Sequence, residues 1–127
     1  MKSITANDVR AVLRVHDHPL LLAKSSLRRV FPAQDRYDAG RRVRDLLHRA
    51  MKVAIEHTHN ATDIDGRRVH GYLTGVLADC SDAEIGRQLQ LSRQSVNSSV
   101  RELAADMVAD IIERLVDRER QLSKVSA

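Results

Sequence analysis

From Arg93 to Leu122 the chain contains neither glycine nor proline, and apolar residues recur through it at spacings of three and four. That pattern permits one outcome: helix, with an apolar stripe that must be buried. The stretch is long enough for a single helix, or for two with a break near Leu103 to Asp106. The rest of the sequence agrees. Five glycines and two prolines punctuate all 127 residues, and the aromatics are only Phe31, Tyr37 and Tyr72. The core must therefore come from Leu, Val, Ile, Ala and Met, a composition that favours helices over strands. The expected fold class is all-α, a compact multi-helix domain with a long C-terminal helix, and no segment reads as a strong strand.

Several classes fall away. No apolar run approaches the roughly 20 residues of a membrane span, and the opening MKSITANDVR lacks an apolar signal core. A cytoplasmic protein with no membrane partner is the expectation. The single cysteine, Cys80, excludes an internal disulfide framework and a cysteine-based zinc finger. The closest histidine pairs, His16 with His18 and His57 with His59, read as polar loop residues, so neither a metal nor a cofactor is expected. No phosphate-loop, dinucleotide or metalloprotease motif occurs, and the chain is not expected to be an enzyme.

Helix signals divide the chain into regions. Thr5 or Asn7 can cap a first helix through Val9, Val12, Leu13 and Val15, and Pro19 suits the start of a second that carries Leu20 to Phe31. A third helix is expected from about Asp38 through Ile55. His57 to Gly66 reads as a loop. Val69, Tyr72, Leu73, Val76 and Leu77 then share one face of a fourth helix. The expected organisation is a basic helical region at 1–60 for partner binding or dimerisation, a reading region at 61–103, and an amphipathic helix at 104–127.

The most informative segment is Ser81 to Leu103, SDAEIGRQLQLSRQSVNSSVREL. Ser81 and Glu84 form a capping box. Ile85, Gly86 and Leu89 supply what two helices packed at a steep angle need, with Gly86 allowing close approach. Leu91 can tuck under the turn, and Ser92 can cap the next helix. Val96, Val100 and Leu103 face back. Arg93, Gln94, Ser95, Asn97, Ser98 and Arg101 are left outward, and none is acidic. Such a surface can enter a major groove.

This segment resembles the helix-turn-helix of bacterial transcription regulators, most closely sigma-factor region 4 and LuxR-type DNA-binding domains, over residues 67–103. The words LSRQSVNSSVREL also resemble the recognition helix of Crp-type winged-helix regulators. A wing requires a glycine-bearing hairpin, however, and the chain continues as helical AADMVADIIERL. The resemblance implies a wingless, sequence-specific regulator of transcription that binds double-stranded DNA. RNA polymerase or another protein is a further candidate partner. By that resemblance residues 93–98 hold the base-reading positions, Arg93, Gln94, Asn97 and Ser98, while side-chain chemistry makes Ser81, Ser92, Ser95 and Arg101 the candidates for phosphate. Gln90 departs from the pattern. These families usually place glycine there, because the turn needs a positive φ that costs another residue about 1 kcal/mol or more, so a differently formed turn stays open.

Charge raises a difficulty. Residues 1–60 hold 12 Lys/Arg against 6 Asp/Glu, whereas residues 61–127 hold 9 against 11. Ser81 to Leu103 is neutral. Phosphate neutralisation drives DNA affinity, so Arg41, Arg42, Arg44, Arg49 and Lys52, with Arg67 and Arg68, are the candidates to supply it if the fold brings them alongside Arg93. The stripe through Val108, Ile111, Leu115 and Leu122 can pack on the N-terminal helices or on a second copy of the chain, and a homodimer interface is the expectation. The alternative reading is a packaging, partition or protein-interaction adaptor of phage or plasmid type.

Overall fold

The computed structural model describes residues 4–32 and 35–126, with side chains through Leu122. Helix α1 (Ala6–Arg10) leads through a 3₁₀ turn at Leu13–Val15 to α2 (Pro19–Leu22), and a second 3₁₀ turn spans Ser26–Val30. The long helices α3 (Arg36–Thr58) and α4 (Ile64–Leu77) follow, then α5 (Asp82–Leu89). A three-residue α6 (Arg93–Ser95), a π-helical turn (Val96–Val100) and α7 (Arg101–Ser126) run on as one continuous helix. The described residues include no strand.

The N-terminal segment corrects the expectation of two ordinary helices. Thr5 caps α1 through a reciprocal box, its backbone N–H donating to Asp8 Oδ2 at 2.9 Å, but the helix stops at Arg10. Pieces this short have no stability of their own, so burial of Val9, Leu13, Leu22 and Leu27 decides their path. Asp8 ties the segment together. It accepts from Ser26 Oγ at 2.6 Å and from Arg29 at 2.9 Å. Burial works to raise its pKa, yet the hydrogen bonds from Arg29, Ser26 and Thr5 outweigh that and hold it well below the usual carboxylate range. His16 faces His48 of α3 with Nδ1 and Nε2 2.9 Å apart. Burial, together with the neighbouring His16 and Arg44 and against Asp17, pushes His48 below the usual histidine range.

Asp35 caps α3 by accepting from the Asp38 N–H at 2.9 Å. Asp63 does the same for α4 through the Gly66 N–H at 2.8 Å, so α4 begins inside the expected loop. Gly40 lies under the Pro19 carbonyl, where an added Cβ would stand 2.1 Å from that oxygen, which is why α2 can pack directly on α3.

Helix α7 is the spine. It packs against α1, α3 and α4. Of the two courses open to it, a single long helix or two with a break near Leu103 to Asp106, it takes the first, and the irregularity lies earlier, at the π turn. One hydrophobic cluster takes residues from all three expected regions, from Ile4 through Tyr72 to Val116. Among the described residues no helix is long and apolar enough to cross a membrane.

Candidate nucleic-acid interface

Two consecutive turns build the site. Helix α5 opens with the expected box: Ser81 Oγ accepts from the Glu84 N–H at 3.1 Å, and the Ser81 N–H donates to Glu84 Oε1 at 3.2 Å. That backbone N–H lowers the Glu84 pKa. α5 closes at Gln90, whose φ is 59° and ψ 42°. The turn is therefore the one the resemblance implies, made with a residue that bears the cost of the left-handed region. The Leu91 N–H reaches back to the Gly86 carbonyl at 2.8 Å, and the Gln90 N–H to Arg87 at 3.4 Å. These are the two bonds of a Schellman closure. Gly86 is required because a Cβ there would meet the Leu91 carbonyl oxygen at 2.6 Å.

Across the pair, Leu89 packs on Gly71 and Ile85 on Gly75. α5 thus runs antiparallel along α4. Ser92 starts α6, its Oγ accepting from the Ser95 N–H at 3.1 Å. Val96 and Val100 are buried and Leu103 half-buried, which fixes the helix behind. Arg93, Gln94, Asn97 and Ser98 are all exposed, together with Ser99. The structure thus brings the four expected base-reading residues onto the outside of one helix start.

The serines are less free than their exposure suggests. Ser81 and Ser92 spend their oxygens as caps, and Ser92 Oγ also donates to Ser95 Oγ at 2.9 Å. Ser98 Oγ donates to the Gln94 carbonyl at 2.9 Å and keeps only its lone pairs for a ligand. Arg101 is committed on two sides: one terminal nitrogen donates to the Arg10 carbonyl at 2.6 Å, the other to Asn97 Oδ1 at 3.1 Å.

The flanking arginines divide. Arg41 and Arg42 lie against the Tyr37 and Phe31 rings. They line a cleft of about 460 Å³ with Val116 and Glu119, and their neighbour Arg49 pairs with Glu119 at 3.3 Å. Glu119 is 26 positions beyond Arg93 on one helix, roughly 40 Å away at 1.5 Å per residue. Arg41 and Arg42 therefore do not supply the charge missing beside Arg93. Arg67 is different. It stands one turn before Gly71, on the side of α4 that receives α5, and is exposed. Arg68 is half-buried.

Arg14 is a residue that sequence reasoning missed. It pairs with Asp82, donates to the Cys80 carbonyl at 2.6 Å and covers the ring of buried Tyr72. Burial raises the Tyr72 pKa. Arg14 thereby pins the N-terminal segment to the junction of α4 and α5. Nothing local in the sequence marks this, since its partners are more than 60 positions away.

The dimer stripe also needs correction. Val108 is fully buried and Ile111 is 5% exposed within the single chain, because α7 spends that face on the chain's other helices. Leu115 is half-buried, and only Leu122 is open, at 61%. Comparison with protein-family models, curated proteins and solved structures finds no match to this chain.

Proposed function

We propose that the chain is a DNA-binding regulator of transcription that lays the start of its long helix, from Ser92 to Arg101, into the major groove. One observation carries the reading. Arg93, Gln94, Asn97 and Ser98 stand exposed together at a helix start that has no carboxylate, on a backbone locked by Gly86, Leu91 and Val96. Amide and guanidinium groups in that position match the donor and acceptor pattern of base edges. Of the four flanking arginines Arg41, Arg42, Arg67 and Arg68, Arg67 is the exposed one on the α5 side of α4, available to meet phosphate. Because Val108 and Ile111 are spent inside the chain, a homodimer formed through α7 has only the end from Leu115 to Leu122 to use.

The test is selection of bound duplexes from a random pool, followed by affinity measurement. The expected result is a short enriched motif. Arg93→Ala and Asn97→Ala are each expected to weaken binding to it by about 1–3 kcal/mol, with unchanged thermal melting. Equal affinity for all duplexes would overturn the proposal.

A further inference from the structure

Arg101 sits one turn beyond Asn97 on the same helix and carries the spacing of a phosphate contact, yet its geometry is that of a clamp. One terminal nitrogen is held at 2.6 Å by the carbonyl of Arg10 in α1. The other donates to Asn97 Oδ1 at 3.1 Å. Its Nε is buried without a hydrogen-bond partner. Arg10 is itself fastened to the same helix by an ion pair with Glu102 at 3.2 Å. The guanidinium is thus fixed at one end by backbone and grips the amide with the other.

A guanidinium has donors only, so the Asn97 atom it meets must be the oxygen. That settles which way the amide points. We infer that Arg101 is a positioning residue for Asn97, not a phosphate contact, and that it turns the Asn97 Nδ2 toward the base edge. This inference rests on the DNA-reading proposal above. An amide nitrogen with two N–H donors suits guanine, whose major-groove edge offers both O6 and N7 as acceptors. Adenine sets its own amino donor beside N7, and cytosine offers only a donor. Thymine offers O4 as a single acceptor beside its methyl group, so guanine, with two adjacent acceptors, is the base that the Asn97 amide nitrogen fits best. The N-terminal segment sets that choice through the Arg10 carbonyl.

Arg101→Lys separates the two roles. Lysine keeps the positive charge that a phosphate needs but lacks the planar fork that joins two acceptors. For a positioning residue, R101K loses about tenfold in preference at a single base pair. Binding to unrelated duplexes and its salt dependence stay unchanged. Asn97→Ala flattens the same base pair, and the double variant goes no further.

For a phosphate contact, R101K binds like the unaltered protein. Arg101→Ala then weakens every duplex alike and reduces the slope of log affinity against log salt by about 1; either result overturns the inference. The side-chain amide resonance of Asn97 in the free protein gives a reading independent of DNA. It is expected at a hydrogen-bonded position in the unaltered chain and at the free-amide position in R101K. A free-amide position already in the unaltered chain overturns the clamp alone. A bound position combined with no selective binding overturns the DNA-reading proposal, and the choice of guanine with it.

Discussion

The turns that close α4 and α5 are the same device used twice, eleven residues apart. In each, a glycine carbonyl accepts a bond from five residues on, Gly75 from Cys80 and Gly86 from Leu91, both at 2.8 Å. In each, a non-glycine residue takes a positive φ, 61° at Asp79 and 59° at Gln90, and a serine then caps the next helix. They differ at the third residue of that helix. After Ser81 it is Glu84, which completes the capping box. After Ser92 it is Ser95, whose N–H is capped by Ser92 and whose hydroxyl brings no negative charge. Both caps are exposed, the stronger one where α5 packs along α4 and the neutral one at the helix start that carries Arg93, Gln94 and Asn97. A helix start meant for a polyanion gains from that omission, because a carboxylate there would repel the phosphates.

The glycines test how rigid the device is. Gly86→Ala is expected to cost about 2–3 kcal/mol, since the new methyl meets a backbone oxygen that cannot give way. A urea midpoint that does not fall would show that the α5 turn is not set by this contact. Gly75→Ala meets the Ile85 side chain instead, at 2.6 Å. Its expected cost is smaller, about 1–2 kcal/mol, although Ile85 is fully buried.

Ser95→Glu makes the second turn like the first. It is expected to raise the melting temperature by completing the box, worth roughly 0.5 kcal/mol, and to lower duplex affinity about tenfold through repulsion. If affinity rises with stability, the contrast between the two caps has no functional meaning. Gln90→Gly relieves the positive φ and is expected to stabilise by about 1 kcal/mol. Asp79→Gly gives only a few tenths of a kcal/mol, because aspartate tolerates that region better. Thermal unfolding of the two variants side by side reads the difference.

Much of the reading region is legible in the residues themselves. The Ser81–Glu84 box, the Ser92 cap, the buried Ile85, Val96 and Val100 and the exposed Arg93, Gln94 and Asn97 all follow from spacing and side-chain chemistry. What is lost is whatever depends on distant partners. The sequence places Arg41 and Arg42 as candidates for the DNA side, but only the antiparallel course of α3 along α7 sends them to the far end. Val108 and Ile111 look like an interface because a stripe does not say which surface covers it. The short pieces before Phe31 have apolar spacing that fits longer helices, and tertiary burial overrides it. The π turn did leave a trace: Val96-Asn97-Ser98-Ser99-Val100 is a run of weak helix formers.

That turn has a consequence for how the chain tolerates length changes. A π turn holds one residue more than an α-helical turn needs. Deleting one residue there, Ser99 for instance, leaves a regular helix. Because the π turn winds that extra residue into about the rotation a regular turn makes with one residue fewer, the flanking segments keep nearly the same bearing, and Arg93 and Gln94 stay on the outer surface. The chain is therefore expected to tolerate a one-residue deletion within Val96–Val100 better than one in the regular turns of α7 that follow, where the same deletion turns everything before it by about 100°.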